Sequence, residues 1–206
     1  MQSWTDRDDI VGMGYQKFAV DPLMPLTLET ELRLAQLRCD LSHVEGHTVL
    51  DIGTYAGLAS LVCIEKQARH VCATDVDDTF FIPIGNWIEQ TNAPMSLLKA
   101  DFNELEVELY DDVLFLEVYH WLNIQGLTAE SVARKLNTLA RLSILIETPY
   151  DTTDPSVLRF GEKAMESYQP SILIDTLSNL GWRVEFLGLC NYFPKEYKRA
   201  RFLCKK

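Results

Sequence analysis

Basic residues are the first shortage. Nineteen lysines and arginines stand against 30 aspartates and glutamates, a formal charge of −11 at pH 7. That balance disfavours non-specific attraction to a phosphate backbone, which depends on lysine and arginine clusters. RNA stays open as a partner because Lys195 to Arg201, with Lys205 and Lys206, is locally basic. Its alternating charges read instead as the solvated face of an edge strand. Histidine is scarce as well: the four are His43, His47, His70 and His120. Five cysteines, at 39, 63, 72, 190 and 204, form no Cys-x-x-Cys pair, so neither a disulfide framework nor a zinc ribbon is indicated. They read as reduced core thiols. No apolar run approaches the ~18 residues of a membrane span, and the first residues lack the basic-then-apolar profile of a signal peptide. The expectation is a soluble cytoplasmic protein with no membrane partner. No repeat, low-complexity tract or linker is visible, and 206 residues suit one domain.

The most informative segment present is Val49-Leu-Asp-Ile-Gly-Thr-Tyr-Ala-Gly57. Val49, Leu50 and Ile52 suit a central strand, and Gly53 and Gly57 permit a sharp turn before a helix from Leu58 to Lys66. A dinucleotide fingerprint needs Gly-x-Gly-x-x-Gly; counted from Gly53, Tyr55 and Leu58 stand where its second and third glycines belong. A pyrophosphate site is therefore disfavoured.

Further elements follow along the chain. Pro22 and Pro25 delay any helix until Thr27, an expected N-cap, after which Leu28, Leu32, Ala35 and Cys39 form one apolar stripe. Short apolar strands are expected at His70 to Asp75, Ser96 to Ala100, Asp112 to Glu117 and Ser143 to Glu147. Helices are expected at Phe80 to Gln90, from the N-cap Thr128 to about Arg141, and from Pro170 to Leu180 with Gly181 as the stop. Strands Arg183 to Gly188 and Ala200 to Lys205 close the chain, joined by a segment without helical pattern. The alternation argues a doubly wound α/β fold, a mostly parallel seven-stranded sheet whose last strand runs antiparallel.

In such sheets, ligands collect at the carboxyl ends of the strands. Polar residues stand there: Gly53 to Gly57, Asp75, Asp101, Glu117 to His120, and Thr148 to Asp151. Asp75 ends an apolar strand, where a carboxylate can accept both hydroxyls of a ribose; its alternative role is a helix cap. Asp101 reads equally as an ordinary loop aspartate.

Asp51-x-Gly53-x-x-x-Gly57 resembles the first motif of class I S-adenosylmethionine (SAM) methyltransferases, Asp-x-Gly-x-Gly-x-Gly, with Tyr55 in place of the middle glycine. The strand order resembles that family from Val44 to Lys206. The resemblance implies a Rossmann-like methyltransferase domain over 44–206, preceded by a lid or helical segment over 1–43. It implies SAM as cofactor and S-adenosylhomocysteine as product. The implied cofactor site comprises Asp51, Gly53, Thr54, Tyr55, Gly57, Asp75, Val76, Asp101, Phe102 and Glu117, with Asp75 on the ribose and Asp101 on the adenine amino group.

Phe115-Leu-Glu-Val-Tyr-His-Trp-Leu122 resembles runs in two methyltransferase groups, those capping bacterial polysaccharide chains and those alkylating the wobble uridine of transfer RNA. Glu117 stands where the first pattern has serine, and Trp121 where it has a second histidine. The resemblance implies Tyr119 and His120 as catalytic residues. A metal reading fails on spacing: some small-RNA methyltransferases use Glu-x-x-Glu-His with a later histidine, whereas here Glu117-x-x-His120 has none after it.

A methyl sulfonium is already an electrophile, so the protein's task is to hold the acceptor in line and dry. A hydroxyl or ammonium acceptor must also lose a proton, for which His120 is the candidate base; backbone-satisfied packing at a helix start is the alternative. Tyr119, Tyr150, Asp151 and Tyr168 are expected to line an acceptor pocket with the irregular segment 151–169. Trp4, Tyr15, Phe18 and Met24 are candidates for a lid. The preferred acceptor is a small molecule, a sugar or a polysaccharide end. RNA transfer and a non-catalytic binding protein of the same fold are the rivals, and Tyr55 is the main argument for the last.

Overall fold

The computed structural model describes residues 28–150, 152–154, 157, 161, 166–192 and 197–206. Thr27, Asp151 and the lid candidates Trp4, Tyr15, Phe18 and Met24 lie outside the described residues. Numbered along the chain, the strands form one sheet in the order third, second, first, fourth, fifth, seventh, sixth, with the antiparallel return anticipated from the sequence. By compactness the chain divides after Leu105 into two units.

The first unit holds helix α1 (Leu28–Asp40), strand β1 (Thr48–Ile52), α2 (Leu58–Glu65), β2 (His70–Asp75), α3 (Phe81–Thr91) and β3 (Met95–Lys99). Its three strands are parallel, with Asp51 opposite Ala73 and Asp75 opposite Lys99. Val49, Leu50, Val71 and Ala73 are wholly buried, as expected of strands covered on both faces. The α1 expectation needs correction. Leu32 is 63% exposed and Cys39 is exposed, while Arg33, Leu37 and Leu41 form the buried stripe. Two apolar stripes compete along this helix, and the one through Leu37 and Leu41 continues into the buried Val44 beyond it. Pro83 is accommodated in the first turn of α3, where its missing N–H costs no intrahelical bond.

The second unit contains β4 (Tyr110–Leu116), α4 (Tyr119–Ile124), α5 (Ala129–Leu139), β5 (Ala140–Pro149), α6 (Pro170–Asn179), β6 (Arg183–Tyr192) and β7 (Tyr197–Lys205). Thr128 caps α5, its hydroxyl accepting the Ser131 N–H at 3.2 Å. Val132, Leu136, Leu139, Leu173 and Leu177 bury the inward faces of α5 and α6. The helix α5 stops at Leu139, two residues before Arg141, because Ala140 already has extended backbone and begins β5.

The closing strands are longer than expected. β6 runs on to Tyr192 and β7 starts at Tyr197, pairing antiparallel from Arg183↔Lys205 to Tyr192↔Tyr197. β7 also pairs antiparallel with β5, so it lies inside the sheet and β6 forms its border. The edge-strand reading of the basic C-terminal segment is thereby overturned: both sides of β7 are hydrogen-bonded, and Arg199 is 4% exposed.

Candidate functional site

In the first unit the site grows out of the turn between β1 and α2. Asp51, at 2% exposure, does not face outward. Its Oδ2 accepts the Thr54 hydroxyl at 2.8 Å and the Ser60 hydroxyl at 2.6 Å, tying the turn to α2. Burial raises its carboxyl above the ordinary 3.8, and the two hydroxyl bonds partly offset that cost. Asp51 and Thr54 are thus structural supports of the turn rather than groups presented at its surface.

Four backbone N–H groups of the turn, those of Gly53, Thr54, Tyr55 and Gly57, are bonded within the protein. Gly53 N and Thr54 N both donate to Thr74 O, at 2.8 and 2.9 Å, and Gly57 N donates to Thr54 O at 2.9 Å. Tyr55 N donates to Asp75 Oδ2 at 2.8 Å. Phosphate cradles work by turning free N–H groups toward the anion, and these four are directed elsewhere. Gly53, Tyr55 and Gly57 all have positive φ, at 71°, 49° and 79°. At Gly57 the requirement is doubly physical, because a Cβ there would also stand 3.1 Å from Ile84 Cδ1.

Asp75 is the polar focus of this unit. Its two oxygens accept Tyr55 N and, at 3.0 Å, Asp77 N. The Val76 N–H also bears on this carboxylate, and of its roughly four lone-pair directions about one is left for a further donor such as a ribose hydroxyl. Burial raises its carboxyl above the ordinary range despite these bonds. Val76 follows with 56% of its surface exposed, an apolar face beside that carboxylate. Ala100 N donates to Asp75 O at 3.0 Å, bringing the ends of β2 and β3 together. Asp101 closes a small turn, its Oδ1 accepting Asn103 N at 2.8 Å, and Phe102 is 4% exposed and packed in the core. These residues fit an adenosine with a free ribose diol. Of these residues, Val76 is exposed and Asp75 is partly so.

In the second unit Glu117 directly follows β4 in the left-handed region, φ 62°, with its N–H bonded to Glu147 O at 2.8 Å. Its carboxylate does not point outward. Oε2 is bound by Arg199 Nε, and Arg199 Nη1 reaches Asp154 Oδ2 at 2.5 Å. All three side chains are at most 8% exposed, a buried triad of one guanidinium and two carboxylates. Lys198 N adds a bond to Asp154 Oδ2 at 3.0 Å.

Tyr119 and His120 open α4. Tyr119 is wholly buried, its ring 5.1 Å from that of Tyr168 and its hydroxyl aimed at Gln169 O at 3.5 Å. Burial pushes its hydroxyl up to about 12. His120 is 3% exposed, with its ring 5.4 Å from Trp121, which is 40% exposed. Tyr168 is 3% exposed: its hydroxyl donates to Pro149 O at 2.9 Å and lies 2.6 Å from the Thr148 hydroxyl, which must then be the donor of that second bond. Of the described residues expected to line an acceptor pocket, Tyr150 is the exposed one, at 49%. Tyr119 and Tyr168 support each other inside the unit. Asn123 reinforces them through two bonds to Ser167, Nδ2 to O at 3.0 Å and Oδ1 from Oγ at 3.1 Å.

Arg199, Asp154, Ser60 and Asn123 were not foreseen. Arg199 and Asp154 are 45 residues apart in the chain, and no periodicity links them. Ser60 could have been read from its place two residues into α2, on the side facing Asp51. Among the described residues no group of three or more potential metal ligands occurs, and no helix is long and apolar enough to cross a membrane.

No protein-family profile and no curated protein matches the sequence. Solved structures do. A SAM-dependent methyltransferase from Aquifex aeolicus superposes with a TM-score of 0.59 at 17% identity, over 84% of this chain and 89% of that one. The magnesium protoporphyrin IX methyltransferase ChlM from Synechocystis PCC 6803, crystallised with bound SAM, gives 0.63 at 16% identity, over 85% and 77%. EvdMO1 gives 0.61 at 16% identity over 84% of this chain, which spans 40% of EvdMO1's length. This likeness establishes the fold: a Rossmann-like sheet with an antiparallel last strand, as in SAM-dependent methyltransferases.

Proposed function

We propose that this protein is a SAM-dependent methyltransferase that delivers the methyl group to an oxygen or nitrogen of a small molecule, sugar or polysaccharide end. One observation carries the reading: the turn after β1 bonds four of its N–H groups within the protein, and one of them, that of Tyr55, locks it onto the Asp75 carboxylate. A carboxylate at the end of β2 suits a ribose diol, and the nucleoside of SAM carries that diol without a pyrophosphate. Asp75 would hold the ribose, Val76 one face of the adenine, and Asp101 its amino group. Gly53, Tyr55 and Gly57 shape the turn, supported by Asp51 and Thr54.

When bound, SAM supplies an electrophilic methyl group. The chain's own residues then have to orient an acceptor and keep water out. Tyr150 and Trp121 offer exposed aromatic surface for that purpose. Buried Tyr119, raised to about 12, holds its proton at neutral pH and serves as a support. His120 is the group available for taking a proton from a hydroxyl or ammonium acceptor. The formal charge of −11 favours neutral or cationic acceptors over a polyanion.

The test is calorimetry with SAM and S-adenosylhomocysteine, followed by S-adenosylhomocysteine release across a panel of glycans, small hydroxylated and amine compounds, and transfer RNA. Binding of both nucleosides and turnover on a non-RNA acceptor is the expected result. Lack of binding to either would defeat the proposal. Binding without turnover on the whole panel would favour a non-catalytic role.

A further inference from the structure

Tyr55 is a bulky residue in a backbone conformation that costs glycine nothing and costs tyrosine strain: its φ is 49°. Strain kept at a ligand-facing turn points to a task for the side chain. The position is not forced by the fold, because the turn's hydrogen bonds use backbone atoms that any residue supplies. The ring itself is held in place. It packs edge-on against Phe80, centroids 4.5 Å apart with the planes at 62°, and Phe80 is 8% exposed and anchored at the start of α3. Tyr55 as a residue stays half-buried.

Two further features fix its neighbourhood. The Tyr55 N–H ends on Asp75 Oδ2, which places the residue beside the carboxylate at the end of β2. Val76, the next residue, is an exposed aliphatic side chain at 56%. An aromatic residue bonded to the carboxylate through its backbone and an aliphatic residue next to it in the chain thus share this end of the sheet, a pairing that matches a flat base attached to a diol.

We propose that Tyr55, braced by Phe80, is a specificity-determining residue that forms an aromatic wall for the nucleoside portion of the ligand next to Asp75. This inference rests on the proposed SAM site and adds to it which part of the ligand Tyr55 reads. The ring replaces by contact what a glycine would leave as open space. It makes the nucleoside, rather than the amino-acid tail, the portion on which this chain's affinity depends.

The experiment compares two probes by calorimetry: S-adenosylhomocysteine, and 5′-methylthioadenosine, which lacks the amino-acid tail. Tyr55→Gly restores the residue of least strain, so folding is expected to survive, and its thermal midpoint is recorded alongside. Both probes should weaken by the same factor, on the order of fivefold to tenfold, the size of a lost base–aromatic contact. Tyr55→Phe should bind both probes as the wild type does, since it keeps the ring. Phe80→Leu should weaken both by a smaller factor. Tighter binding of both probes by Tyr55→Gly would mean that the ring occupies ligand space and would overturn the proposal. Weakening confined to S-adenosylhomocysteine would place Tyr55 on the tail and overturn it too, as would unchanged affinity for both. Failure of the wild type to bind either probe would instead defeat the methyltransferase reading itself.

Discussion

Arg199 and Glu117 form a buried ion pair between the beginning of β7 and the residue just after β4, 82 positions apart in the chain. The same guanidinium binds Asp154, so one cation holds two carboxylates taken out of water. Such a group stabilises mainly by being complete, because removing one member strands the others.

Arg199→Met should therefore cost about 3–5 kcal/mol of folding stability in urea unfolding, through the two carboxylates it leaves behind. Adding Glu117→Gln and Asp154→Asn to the same chain should recover most of that loss, since no buried charge is then uncompensated. A triple variant as unstable as the single one would show that packing of the arginine stem, not charge, dominates.

Asp51 allows a test of the turn. Asp51→Ala leaves the Thr54 and Ser60 hydroxyls without their acceptor and should cost ~1–3 kcal/mol. Asp51→Asn keeps an acceptor oxygen and removes the buried charge. The pH dependence has a definite sign. Burial raises the folded-state carboxyl above the ordinary 3.8, so the folded protein binds more protons than the unfolded chain between 3.8 and the raised value. Stability due to Asp51 falls as pH rises through that window and is level above it. Urea unfolding across acidic to neutral pH should show the wild type losing stability relative to Asp51→Asn as pH increases.

At Gly57 two penalties coincide. Gly57→Ala should lose ~1–2 kcal/mol from the left-handed backbone alone, and more from the Cβ placed 3.1 Å from Ile84 Cδ1. Ile84→Val removes that methyl. The double variant should therefore be less destabilised than the sum of the two single ones, which thermal unfolding can check.

Tyr119 and His120 should separate in kinetics on whichever acceptor the panel identifies. Tyr119→Phe keeps the buried ring against Tyr168 and loses one long hydroxyl bond, so turnover should change by less than about tenfold. If His120 takes the acceptor proton, His120→Gln should lower turnover by ~10²-fold or more, the usual worth of a positioned base. A Tyr119→Phe loss of that size would assign the proton transfer to tyrosine instead.

The thiols offer a check on the fold. Cys39 is exposed and Cys190 partly so, whereas Cys63, Cys72 and Cys204 are buried and burial pushes the Cys204 thiol up to about 12. A maleimide added to the native protein should label Cys39 rapidly and Cys190 more slowly. The other three should react on unfolding, as peptide mapping by mass spectrometry will show.

What the sequence determined by itself is the succession of elements and their type. Runs such as Val113–Leu116, apolar without interruption, and Val49–Ile52, apolar but for Asp51, are bounded by polar or turn residues, a local pattern that neighbours cannot easily override. The same holds for Thr128 as a cap, Gly57 as a turn residue and the antiparallel ending after Gly181. Tertiary structure decided matters in which local alternatives were nearly equal in energy or in which partners are distant in the chain. Helix α1 carries two apolar stripes, and packing chose the one through Leu37 and Leu41. The C-terminal strand alternates charges as an edge strand does, yet pairing with both β5 and β6 placed it inside the sheet and buried Arg199. Asp51 and Glu117 looked alike in sequence, as acids in or at the end of buried strands. Only the fold supplied Ser60 and Thr54 to one and Arg199 to the other, because an unpartnered buried carboxylate is too costly to keep and its partners came from wherever the chain returned.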